Sequence, residues 1–217
     1  MTKENLFFDL DGTIINSKEG IFNSIAYVIK AFNLRELKED ELNSFIGPPL
    51  HDSFQRIFGV DFDTADKFVE TYRKYYSKTG VLEFTLYDGL KDAVIALSKK
   101  FNLFVTTSKP TEYAKLILQS ADILSCFKEV SGSEKDKPDS SKEQVVNFVI
   151  DKYNLKKETC ALIGDTRFDG EGAKLCNIVF YAVSYGFGTD EELKECNPAK
   201  IFDTPKEIAD FFLTNEV

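Results

Sequence analysis

Four short apolar runs limit what this chain can become. NLFFDL at residues 5–10, FNLFVTT at 101–107, CALIG at 160–164 and IVFYAV at 178–183 read as buried strands. From about residue 88 onward, helical patterns separate the runs. Leu90, Val94 and Leu97 share one helical face, and Val145, Val146, Val149 and Tyr153 share another. The last helix opens with TPKE: Thr204 is the expected N-cap, Pro205 the first helical residue and Glu207 the capping-box partner. Strands alternating with helices specify a parallel sheet covered on both faces, an α/β core.

Residues 16–83 have a different texture. Ile21, Ile25, Val28, Ile29 and Phe32 line one helical face behind an Asn16…Glu19 capping pair, and Phe68, Tyr72, Tyr75 and Tyr76 line a second. Two shorter helical pieces lie between them, and no strand is expected there. The aromatic stripe is read as packing. The chain is therefore expected to form a core from residues 1–15 and 84–217, interrupted by a helical module at 16–83.

The sequence has 217 residues, 43% hydrophobic and 29% charged, enough for one sizeable core with a small second domain. Its opening, MTKENLFFDLDG, lacks the basic start and apolar run of a secretory leader, and no apolar stretch reaches bilayer-spanning length. Cys126, Cys160, Cys176 and Cys196 are widely spaced with no CxxC pair, which fits reduced thiols in a cytoplasmic protein. A net charge of −9 repels nucleic acid. It does not prevent a local cation and a lysine or two from holding a small phosphate.

Chemistry concentrates where the apolar runs end, because ligands of a parallel sheet bind at the carboxyl ends of its strands. DLDGT places Asp9 and Asp11 two residues apart, with Gly12 allowing a sharp turn that brings backbone N–H groups near an anion. Alone, it also reads as an acidic turn. GDTRFD places Asp165 and Asp169 after another run, and alone it reads as an aspartate capping a helix. Together the two motifs gather four carboxylates in one crevice, which calls for a divalent cation. Oxygen-only ligands suit Mg2+. FVTTSKP ends a strand in hydroxyls, a lysine and a helix-starting proline, equally an ordinary capped helix start. Lys142, in SSKEQVV, sits at a helix start, where a nearby anion would offset the unfavourable dipole; Lys135 and Lys137 compete for its role.

In this order and spacing the four pieces resemble the haloacid dehalogenase superfamily of phosphohydrolases across essentially the whole chain. FIGPPL (45–50), TSKPTEYA (107–114), GDTRFDGEGAK (164–174) and SYGFGTDEEL (184–193) are similar to its phosphoglycolate phosphatase and 5′-nucleotidase-like branch. The resemblance implies a Rossmann-like core with an α-helical cap. It implies Asp9 as nucleophile and Asp11 as general acid and base. Thr107 would bind phosphate through its hydroxyl and Ser108 through its amide, with Thr106 in place of Thr107 if the strand ends one residue earlier. Lys142 would neutralise the transferring group, although Lys137-Pro138 mimics the same motif. Asp9, Asp11 (by its carbonyl) and Asp165 would hold Mg2+, supported by Asp169. Gly12 would help to cradle the phosphate, and the Gly47-Pro48-Pro49 turn would face the substrate. His51, Arg56 and Arg73 of the insert are given no role.

The expected activity is Mg2+-dependent hydrolysis of a small phosphate monoester (phosphoglycolate, a nucleoside monophosphate or a sugar phosphate) through an aspartyl-phosphate. The rivals are a sugar phosphomutase and a non-catalytic phosphate-binding protein. The expected partner is a small phosphorylated metabolite, without nucleic acid or membrane, for a cytoplasmic monomer or weak homodimer.

Overall fold

The apolar run that opens the chain forms β1 (Asn5–Phe8), with all four residues buried. The computed structural model describes residues 3–133 and 141–214. After β2 (Ile15–Asn16) come α1 (Lys18–Phe32), α2 (Glu39–Asn43), α3 (Leu50–Phe58) and α4 (Phe62–Tyr76). The chain returns through β3 (Thr85–Leu86), which pairs with β2. Alternation then sets in: α5 (Leu90–Leu97), β4 (Asn102–Pro110), α6 (Thr111–Ser120), β5 (Phe127–Ser133) and α7 (Lys142–Tyr153). It continues through β6 (Cys160–Gly164), α8 (Arg167–Cys176), β7 (Val179–Val183), α9 (Asp190–Glu195), β8 (Ile201–Phe202) and α10 (Pro205–Thr214). Two compact units result, Met1–Asn16 with Leu86–Val217, and Ser17–Thr85.

The first unit is a six-stranded sheet in the order β5-β4-β1-β6-β7-β8 with parallel pairing throughout. This is the Rossmann-like α/β core. β1 lies between β4 and β6, with Phe7 in register with Phe104 on one side and Leu162 on the other. The Phe7 and Phe104 rings stack at 5.0 Å and pack with Val146 and Val149 of α7 and Ala173 of α8. Phe7 and Phe104 are fully buried, so replacing either by alanine costs about 3–5 kcal/mol. On the opposite face Tyr181 of β7 and Phe202 of β8 pack against Phe212 of α10. The sheet is thus apolar on both faces, which explains why its central strands are continuous apolar runs.

Local departures from the sequence reading have local causes. β5 (FKEVSGS) and β8 (two residues) are the sheet's edges, and neither carries an apolar run. β4 continues to Pro110, which is the N-cap of α6 and not its first residue. Asn16 belongs to β2, so α1 starts from Ser17, without the capping pair expected from Asn16 and Glu19. At α10, Thr204 Oγ1 accepts the Glu207 N–H at 3.3 Å, while the Glu207 carboxylate accepts the Asp203 N–H at 3.1 Å, one residue before the expected partner.

The second unit packs its helices around Phe45, Phe54, Phe58 and Phe68, whose rings meet edge-to-face at 5.0–6.0 Å. Phe68, Tyr72 and Tyr76 are buried, as a packing stripe requires. Gly47 (φ +104°) and Pro48 lie in the turn between α2 and α3. His51 stacks on Phe62 and sits 2.9 Å from Asp66, Arg56 bonds to the Ser44 carbonyl at 3.0 Å, and Arg73 is exposed. No helix among the described residues is long and apolar enough to cross a membrane.

Candidate active site

Asp9 is the first residue beyond β1, and its N–H still donates to the Ile163 carbonyl at 2.9 Å, holding it beside the end of β6. The chain then folds back tightly. Gly12 N–H reaches the Ile15 carbonyl at 2.8 Å and Ile15 N–H the Leu10 carbonyl at 3.0 Å. Gly12 has φ +93°, a left-handed conformation costly for other residues. β6 ends at Gly164, so Asp165 follows it directly, beside Asp9. Thr166 caps α8, and Asp169, three residues on, returns one carboxylate oxygen to that cap: Oδ2 accepts from Thr166 N at 3.1 Å and Thr166 Oγ1 at 2.8 Å.

The other oxygen of Asp169 faces Lys142. Lys142 is the first residue of α7, held there by a capping box between Ser141 and Gln144. Its Nζ lies 2.8 Å from Asp169 Oδ1, donates to the Thr106 carbonyl at 2.8 Å and pairs with Asp9 Oδ1. Lys142, Asp9, Asp165 and Asp169 are all buried. Burial opposes the charge on Lys142, but the Asp169 and Asp9 carboxylates hold its ammonium above the ordinary lysine range. Asp165 accepts hydrogen bonds on both oxygens, from Thr13 Oγ1 at 3.0 Å and Phe187 N–H at 2.8 Å.

Asp11 stands beside this cluster, with Oδ1 paired to Lys109 Nζ at 2.7 Å. The two candidate threonines differ. Thr107 Oγ1 accepts the Lys109 N–H at 3.1 Å, whereas the buried Thr106 Oγ1 has no hydrogen-bond partner among the described residues. Ser108 is exposed. Lys135, Lys137 and Pro138 lie outside the described residues. Gly47 and Pro48 belong to the second unit.

The sequence pattern of the haloacid dehalogenase-like hydrolases matches residues 6–183, a span that holds each of these carboxylates and lysines in order. The chain belongs to that family. This haloacid dehalogenase-like protein is 34% identical over 195 residues to the 5′-nucleotidase of Pseudomonas aeruginosa, covering 89% of this chain and 88% of that one. It is 25% identical over 215 residues to the phosphoglycolate phosphatase of Colwellia psychrerythraea, covering 95% of each. Among solved structures, a haloacid dehalogenase-like family hydrolase of Streptococcus pneumoniae matches with a TM-score of 0.91 at 31% identity, over 97% of this chain and 98% of that one.

The donor set of this haloacid dehalogenase-like protein suits a hard cation. Carboxylate oxygens of Asp9, Asp165 and Asp169 lie within 4.8 Å of one another. Burial pushes the Asp9 carboxyl up to about 7 despite Lys142. Burial, followed by the charges of Asp169 and Asp9, drives Asp165 well above the usual carboxylate range. Without a cation such a cluster retains protons, and a divalent cation with oxygen ligands would take their place. The sequence reading gave no role to Thr13, Tyr185 and Phe187. The glycine spacing in SYGFG, directly after an apolar run, was the available sign of a loop pressed against the strand ends.

Proposed function

We propose that the protein hydrolyses a small phosphate monoester through a phosphoryl intermediate on Asp9. The supporting observation is the buried assembly of Asp9, Lys142, Asp165 and Asp169, where a lysine and a cation-ready carboxylate cluster converge on one potential nucleophile. An Asp9 oxygen attacks phosphorus, the bond to the leaving oxygen breaks, and Asp11 gives that oxygen its proton. Water then attacks the phosphoryl group, Asp11 takes up its proton, and the Asp9–phosphorus bond breaks to release inorganic phosphate.

Lys142 neutralises charge on the transferring oxygens. Thr107 supplies the hydroxyl for the phosphate: its oxygen accepts the Lys109 N–H, which leaves its own O–H to donate. Gly12 and Ser108 contribute backbone amides. Mg2+ held by Asp9, Asp165 and the Asp11 carbonyl, with Asp169 in support, would stabilise negative charge on the transferring group. We assign the choice of small substrates to the helical unit, a cap that enters the sequence directly after the Asp9 loop, and to its Gly47-Pro48 turn.

A 5′-nucleotidase and a phosphoglycolate phosphatase among the relatives support the substrate class: phosphoglycolate, nucleoside monophosphates and sugar phosphates. A panel of these esters, assayed for phosphate release with Mg2+ and with chelator, tests the proposal. Mg2+-dependent turnover of at least one ester is expected, and no turnover of any would refute it.

A further inference from the structure

We propose that Tyr185 and Thr13 are positioning residues that hold the Asp165 carboxylate in place for a divalent cation. This rests on the reading that Asp165 is a metal ligand. The hydrogen bonds around Asp165 close into a ring. Thr13 Oγ1 donates to Oδ1 at 3.0 Å, Phe187 N–H donates to Oδ2 at 2.8 Å, and Tyr185 Oη donates to the Thr13 carbonyl at 3.0 Å. Tyr185 and Phe187 are separated only by Gly186, so the backbone completes the circuit from carboxylate to Thr13 to Tyr185 and back.

The ring has work to do because Asp165 is fully buried with Asp9 and Asp169 as neighbours of like charge. Their repulsion would turn an untethered carboxylate away from the point where the three sets of oxygens meet. Donors on both oxygens fix its orientation and leave lone pairs for a cation. Two details show that the loop is shaped for this contact. A Cβ at Gly186 would lie 2.2 Å from the Asp165 Cβ, so only glycine lets the Phe187 N–H come so near. Tyr87 packs against the Tyr185 ring at 4.6 Å, supporting the phenol that ties the loop to Thr13. Removing the Tyr185 hydroxyl frees the Thr13 carbonyl and loosens the Asp165 clamp without removing any atom that could touch metal or substrate.

Calorimetric titration of the full chain with Mg2+ alone tests this, using wild type, Tyr185→Phe, Thr13→Val, Thr13→Ser and Asp165→Asn. Tyr185→Phe and Thr13→Val should each weaken Mg2+ binding by ~10-fold or more, the usual scale for groups that orient a metal ligand. Thr13→Ser, which keeps the hydroxyl, should recover most of the affinity. Metal-free melting temperatures should stay close to wild type for Tyr185→Phe, separating positioning from general support of the fold. Unchanged Mg2+ affinity in Tyr185→Phe, with binding lost in Asp165→Asn, would overturn the ring while sparing the ligand assignment. Wild-type affinity in Asp165→Asn would overturn the ligand assignment itself, and the ring with it. Equal losses in Thr13→Ser and Thr13→Val would also overturn it.

Discussion

Gly12 and Asp165 are in such close contact that a single added carbon would collide: a Cβ on Gly12 would lie 2.0 Å from Asp165 Oδ2. The backbone there has φ +93°, so an alanine would be strained as well as crowded. Gly12→Ala is expected to displace the carboxylate or the Asp9 loop. A loss of about tenfold or more in kcat/KM, equivalent to about 1.4 kcal/mol, is expected. Denaturant unfolding should show a stability loss of about 1 kcal/mol or more. Unaltered kcat/KM would mean that the contact has no bearing on catalysis.

Asp9→Asn removes the proposed nucleophile but preserves shape. Turnover is expected to fall by about 10⁴-fold or more, with circular dichroism unchanged. Beryllium fluoride with Mg2+ should form an adduct on Asp9 of the wild type and none on the variant. An adduct at another residue would refute the assignment.

Lys142 is the only lysine found in contact with both Asp9 and Asp169 among the described residues. Lys142→Ala leaves two carboxylates buried without their cation, which should lower stability by about 3–5 kcal/mol and kcat severely. Lys137→Ala is expected to stay near wild type on both measures. The reverse pattern would move the role to Lys137.

The raised Asp9 value makes a prediction about pH. The ordinary carboxyl value is 3.8, and burial lifts Asp9 to about 7. Between these values the folded, metal-free protein keeps a proton that the unfolded chain has lost. Its stability must therefore fall as pH rises through that window. Asp165 is shifted in the same direction. If Mg2+ binds there as proposed, it displaces these protons, so the melting-temperature gain on adding Mg2+ should grow across the same window. Asp9→Asn should flatten the metal-free dependence. Thermal melts at several pH values in chelator and in Mg2+ provide the check, and a Mg2+ effect independent of pH would contradict it.

The sheet's central strands were legible because burial on both faces demands continuous apolar residues, as in CALIG, which matches β6 from end to end. The edge strands β5 and β8 left no such trace. Asp9, Asp165 and Asp169 were legible because each follows a strand end or opens a helix, and topology brings those ends together. Lys109, Thr13 and Tyr185 were not. Their contacts with Asp11, Asp165 and the Thr13 carbonyl join residues 98, 152 and 172 positions apart, and nothing in local composition marks a partner so distant.

β1 precedes both of its neighbours in the sheet by a long stretch of chain: Asn102 bonds Asn5 across 97 residues, and Asn5 reaches Thr159 across 154. Closing such long loops must precede the contacts that reward it, so folding should be slow and late. Until β4 and then β6 are made, an almost wholly apolar strand lacks its sheet neighbours and is exposed to aggregation. The same arrangement offers a safeguard. Because Asp9 meets Lys142 across 133 residues, a chain that stops before Lys142 cannot assemble the candidate site.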